Sequence, residues 1–106
     1  VVSDAAHDVF AAIADPRRRR ILDLLRDGER PVSDLVGPLG VTMGAVSQHL
    51  KVLRSCGLVR QRRLGRQRLY RVDPRPLKKV VDWTGRYARF WNGRLDRLGR
   101  YLDEAP

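Results

Sequence analysis

Gly57 separates two patterns that leave this chain few ways to fold. Before it, "MGAVSQHLKVLRSC" repeats Val46, Leu50 and Leu53 at helical spacing, and Thr42 offers a side-chain oxygen to the free N–H groups of the first turn. After it, "LVRQRRLGRQRLYRVD" changes to a period of two, which predicts strands over 58–64 and 67–72 joined at Gly65-Arg66, a glycine-first two-residue turn. That register sets Val59 against Val72, Gln61 against Tyr70 and Arg63 against Arg68, with Arg60 facing Arg71 from the other side. The expected class is mainly α with a small β-hairpin.

The helix before Gly57 has two dissimilar sides. Turning about 100° per residue from Val46, Leu50, Leu53, His49 and Met43 share one face, and Gly44, Ser47, Gln48 and Lys51 the other. A solvated face ordinarily mixes charges of both signs. This one carries a glycine, a hydroxyl, an amide and one lysine, chemistry suited to close approach and hydrogen bonding in a major groove. His49, at the border, reads as a hydrogen-bonded packing residue.

Charge points the same way. Residues 35–72 contain no Asp or Glu, while Lys51, Arg54, Arg60, Arg62, Arg63, Arg66, Arg68 and Arg71 contribute +8 to a chain whose net charge is +10. The opposed arginine pairs 63/68 and 60/71 repel one another in water, and phosphates between them reverse the sign. Nucleic acid is the expected partner. An anionic membrane is disfavoured, since the segment has no long amphipathic basic helix.

The flanks are helical. Val9, Phe10, Ile13 and Ala14 have helical spacing in residues 4–14, and Asp15-Pro16 then caps a helix carrying Ile21, Leu22, Leu24 and Leu25 up to Gly28. Arg17 to Arg20 divide between a nucleic-acid patch and pairing with acids. Ser33 is expected to cap a short third helix that Gly40 closes, weakened by Gly37-Pro38. Asp73-Pro74 repeats the cap-and-proline signature, and Leu77, Val80, Val81, Thr84, Tyr87, Ala88, Trp91, Leu95, Leu98 and Leu102 follow in steps of three and four. One helix of about 28 residues would be roughly 42 Å long, more than a domain of this size can cover. Trp83, Phe90 and Tyr101 form a second stripe, and the surplus points to a second protomer.

At 106 residues the chain makes one domain, with a core over 16–73 and dimerisation helices over 4–14 and 74–102. Its 42% apolar content excludes a disordered basic tail, and no apolar run reaches the length of a membrane span. The N-terminal residues have acids among the apolar ones and their basic cluster behind them, the reverse of a secretory signal, so a cytoplasmic protein is expected. The single Cys56 agrees with that compartment.

The segments "ADPRRRRILDLL", "VSDL", "VSQHLKVLRSCGLV" and "RRLGRQRLYRVD" together resemble the winged helix-turn-helix repressors of the ArsR/SmtB family, over about residues 9–73. The tail "WTGRYARFWNGRLDRLGRYL" resembles a subgroup without metal ligands, often found beside genes for START-like proteins. The resemblance implies a homodimer, packed through its first and last helices, that occupies a palindromic operator and represses transcription. Departures are specific. Where arsenic and cadmium sensors of the family carry cysteines this chain has Pro31 and Ser33, and the helix after Pro74 has no histidine for a zinc site. Met43-Gly44 replaces the family's Gln-Pro, whereas Ser47, Gln48 and His49 match its motif.

Face chemistry, charge and resemblance together give the candidate DNA contacts: Thr42, Met43, Gly44, Ser47, Gln48, His49, Lys51, Arg54, Arg62, Arg63, Arg66 and Arg68. The candidate dimer interface is Phe10, Ile13, Val80, Trp83, Tyr87, Trp91, Leu95 and Leu98. Neither cofactor nor metal is expected. Catalysis is disfavoured, because His7, His49 and Cys56 assemble with no acid into a reactive set. Two rival readings are a non-specific architectural or RNA-binding protein, which would put Lys or Arg where Gly44, Ser47 and Gln48 stand, and a repressor switched through the Cys56 thiol. An effector is not legible: Trp83, Tyr87, Phe90 and Trp91 suit either an aromatic ligand or packing, and packing is favoured.

Overall fold

A computed structural model describes residues 8–104, without the side chains of Leu95, Asp96, Tyr101, Asp103 and Glu104. The helical turn expected over 4–7, His7, and the side chains of Leu95 and Tyr101 lie outside the described residues. The elements are α1 (Val9–Ala14), α2 (Pro16–Leu25), β1 (Arg30–Pro31), α3 (Ser33–Leu39), α4 (Met43–Ser55), β2 (Val59–Leu64), β3 (Gln67–Val72), α5 (Lys78–Gly85) and α6 (Ala88–Glu104).

Asp15 ends one helix and begins the next. Pro16 disfavours the helical region for the residue before it, so Asp15 is extended (φ −83°, ψ 121°), and its carboxylate accepts from the Arg17 N–H at 2.8 Å. That hydrogen bond is the main reason its carboxyl is held below its ordinary value. The free carbonyls of α1 are taken up by arginines of α2. Arg18 Nε donates to the Ala12 carbonyl at 2.6 Å and Arg19 Nη1 to that of Ile13 at 2.7 Å, so half of the Arg17 to Arg20 run caps α1.

Ser33 is not the cap of α3. Val32 occupies that position with no side-chain bond, but Gly40 closes the helix as expected, at φ 65° and bonded to the Val36 carbonyl. Thr42 Oγ1 accepts from the Ala45 N–H at 3.1 Å and starts α4. At the other end Leu58 N–H bonds to the Leu53 carbonyl and Gly57 N–H to that of Arg54, each at 3.0 Å. This Schellman closure needs the left-handed backbone that Gly57 supplies at φ 81°, and it drives Leu58 straight into the core.

The hairpin register is the expected one at all four pairs, and Gly65 turns it at φ 62°. The sheet is larger than the hairpin. β1 joins antiparallel to β3, with Arg30 opposite Tyr70 and Pro31 opposite Leu69, giving the order β1-β3-β2. Two residues are too few to show a period, which is why this strand leaves no sequence signal. Ile21, Leu25, Leu35, Val46, Leu50, Leu53, Leu58, Val59 and Tyr70 share one core with Val9 and Ala12.

The single long helix expected after Pro74 is not formed. A 3₁₀ turn (Arg75–Leu77) leads into α5, and the chain breaks again at Arg86-Tyr87 before α6. At the break the bonds tighten to Arg86 N–H on the Trp83 carbonyl and Tyr87 N–H on that of Thr84. Gly85 weakens the helix there, and Thr84 Oγ1 donates back to the Val81 carbonyl at 3.1 Å, a local competitor of the helical ladder.

Candidate nucleic-acid interface

On α4 the two faces separate as their chemistry requires. Val46, Leu50 and Leu53 are buried; Thr42, Gly44, Ser47, Gln48, Lys51 and Arg54 are exposed; His49 is half-buried at the border. Met43 departs from expectation. Placed by periodicity with the buried face, it lies 52% exposed at the first residue of α4. A Cβ on Gly44 would meet only Thr42 Oγ1, at 4.0 Å, so among the described residues no packing calls for glycine there.

The hairpin arginines divide into two sets. On one face Val59, Gln61 and Arg63 stand in register with Val72, Tyr70 and Arg68, a row that begins in the core and ends at the open tip. Arg63, Arg66 and Arg68 line a hollow of about 330 Å³ together with Ser33, Gln67 and Tyr70, and make no ion pair among the described residues. On the other face every arginine has an acid. Arg60 Nε donates to Asp73 Oδ2 at 2.8 Å, Arg62 Nε donates to both Glu29 oxygens at 2.7 and 3.0 Å, and Arg71 lies 3.9 Å from Glu29.

This corrects the argument from opposed arginines. The 60/71 pair is compensated within the chain, leaving 63/68 as the opposed pair with no acid partner among the described residues. Asp73 also accepts from the Arg75 side chain at 2.7 Å and backbone N–H at 3.1 Å; Arg75 first, then Arg60, holds its carboxyl well below the usual carboxylate range. Glu29 is lowered chiefly by the hydrogen bond from Arg62. Glu29, Asp73 and Arg75 were not among the candidates. A faint signal existed for Asp73, the first acid after the basic segment.

Cys56 is half-buried against the core, and its Sγ donates to the Leu53 carbonyl at 3.4 Å. Among the described residues no three His, Cys, Asp or Glu stand together to hold a metal ion, and no helix is long and apolar enough to cross a membrane.

The dimer candidates fall into two groups. Ile13 and Val80 pack against the chain's own core, whereas Phe10, Trp83, Tyr87, Trp91 and Leu98 are 39 to 51% exposed. Phe10 meets Trp83 edge to face at 5.9 Å and Trp83 meets Tyr87 at 5.7 Å, tying α1 to α5. Val81, Phe90 and Leu102 extend this apolar surface.

Residues 15–61, from the cap of α2 into β2, match the family model described as bacterial regulatory protein, arsR family. The HTH-type transcriptional repressor SmtB of Mycobacterium tuberculosis is 41% identical over 80 residues, 76% of this chain and 59% of that protein, so the match spans less than two thirds of SmtB. The HTH-type transcriptional regulator Rv2034 of the same organism is 38% identical over 94 residues, covering 89% of this chain and 85% of its own length. Among solved structures, the homodimeric winged helix-turn-helix DNA-binding domain Mb0332 of Mycobacterium bovis superposes with a TM-score of 0.63 at 33% identity, over 79% of this chain and 81% of that one.

Proposed function

The chain belongs to the arsR family of bacterial regulatory proteins, and on that premise we propose that it is a dimeric repressor that binds a palindromic operator in double-stranded DNA. One observation carries the reading. The exposed face of α4 presents Gly44, Ser47 and Gln48 with no acid and its two bases, Lys51 and Arg54, towards its C-terminal end, and it shares a core with a hairpin whose tip holds three arginines that pair with no acid among the described residues. Uncharged donors and acceptors discriminate base edges; unpaired guanidinium groups hold phosphates whatever the sequence. α4 therefore reads the major groove through Ser47 and Gln48, with Gly44 permitting close approach. Arg63 and Arg68 take backbone phosphates, and Arg66 at the turn reaches the minor groove.

The second protomer covers the apolar surface of α1, α5 and α6. The homodimeric relative supports this arrangement, and so does the exposure of Trp91 and Leu98. A dimer places two copies of α4 on half-sites about one helical turn apart, roughly 34 Å. The reading assigns no catalytic step, and it places the protein with bacterial DNA in the cytoplasm.

Selection from randomised duplexes tests it. The expected outcome is enrichment of one palindrome with half-sites about a turn apart; recovery of no preferred sequence overturns the operator reading in favour of an architectural protein.

A further inference from the structure

The Glu29 ion pairs on the outer face of the hairpin, unlike that of Arg60 with Asp73, have no evident structural duty. β2 and β3 are held by their ladder, by β1, by Val59 and Tyr70 in the core, and by the Asp73 N–H on the Leu58 carbonyl at 2.8 Å. Glu29 precedes β1 by one residue. The register of β1 on β3 brings it opposite Arg71, with its carboxylate within reach of Arg62. Arg62 is about half exposed, and a surface pair of this kind adds little to stability. What Glu29 does change is the charge available to DNA.

Resting on the DNA-binding reading above, we infer that Glu29 sets specificity by withholding Arg62 and Arg71 from the phosphate backbone. Each additional arginine on a phosphate releases counterions and strengthens binding to every sequence alike. A hairpin with five free arginines would hold random DNA more tightly and gain less on its operator. The paired acid keeps the count at three, those at the tip. Base reading by α4 is left as the larger part of the difference between operator and random DNA.

The test compares wild type, Glu29→Gln and the double variant Glu29→Gln/Arg62→Gln on the selected operator and on a random duplex, between 50 and 200 mM salt. Glu29→Gln keeps the side chain's size and removes its charge. It frees two arginines per protomer and so up to four per dimer, and the log-log salt slope should steepen by about 1 to 4. Affinity for random DNA should rise several-fold more than affinity for the operator. Adding Arg62→Gln should return the slope part of the way to that of wild type. An unchanged slope and operator-to-random ratio in Glu29→Gln, with wild type still binding in a salt-dependent way, overturns the inference alone. Loss of affinity for both duplexes also overturns it, since Glu29 would then be supporting the hairpin. Absence of salt-dependent binding by the wild type overturns the DNA reading itself.

Discussion

Between Val9 and Asp73 every helix and both hairpin strands place at least one side chain in a common core, whereas between Lys78 and Glu104 no described side chain is fully buried. The two regions do not differ for want of apolar residues. Trp83, Tyr87, Phe90, Trp91, Leu98 and Leu102 are as large as anything in the core, yet they stand 44 to 62% exposed. The radius of gyration, 17.8 Å against about 13 Å for a compact chain of this length, registers the same contrast. The body finds its partners within the chain. The arm needs them from elsewhere, so the two regions should respond differently to dilution and to mutation.

The largest effect belongs to the body. Leu50 is fully buried, and Leu50→Ala should cost about 2 to 5 kcal/mol of folding free energy in urea titration. The cost should be the same for monomer and dimer, and a strong dependence on protein concentration would break the contrast. Trp91→Ala comes next. It removes a ring already 44% exposed in the single chain, so it should spare the fold and weaken association by about 2 to 4 kcal/mol in sedimentation equilibrium. A wild type that stays monomeric at micromolar concentration would show that the arm is covered by something other than a second copy.

Smaller effects sharpen the picture. Gln48→Ala alters neither core nor arm, and should cost roughly 1 to 3 kcal/mol on the operator with little change on random duplex. Arg68→Ala should instead weaken all sequences and, counted twice in a dimer, flatten the salt slope by about 2. The smallest effect lies at the seam, where Asp73 gathers Arg60 and Arg75. Its carboxyl is lowered in the folded chain, so the stability it contributes is present above about pH 4 and lost as pH falls through the folded value. The melting temperature of wild type should exceed that of Asp73→Asn by a constant margin from pH 5 to 8, and the gap should close in acid.

Local chemistry was the legible part of this molecule. Thr42, Pro16, Gly40 and Gly57 act through neighbours within a few residues, and the hairpin register follows from its own turn, so each was readable in the chain. The exposed face of α4 was readable for the same reason. The pairing of Glu29 with Arg62 was not, because 33 residues separate them and only β1, itself below the length that shows a period, brings them together. Met43 was misplaced because periodicity gives the direction of a side chain but not where the core ends. The apolar spacing of the arm continues across Gly85 and so reads as one helix, while the break is decided by backbone groups at Arg86-Tyr87.

In a dimer held through the arm, that break would stand where the joint of a pair of calipers stands. α6 is 17 residues, about 25 Å, so in a dimer clasped through this arm a change of about 10° at Arg86-Tyr87 displaces the far end by roughly 4 Å. One base pair rises about 3.4 Å. A substitution at Gly85 that straightened the joint would then shift the two bodies of such a dimer by a distance comparable with one base-pair step, with every side chain on α4 unaltered.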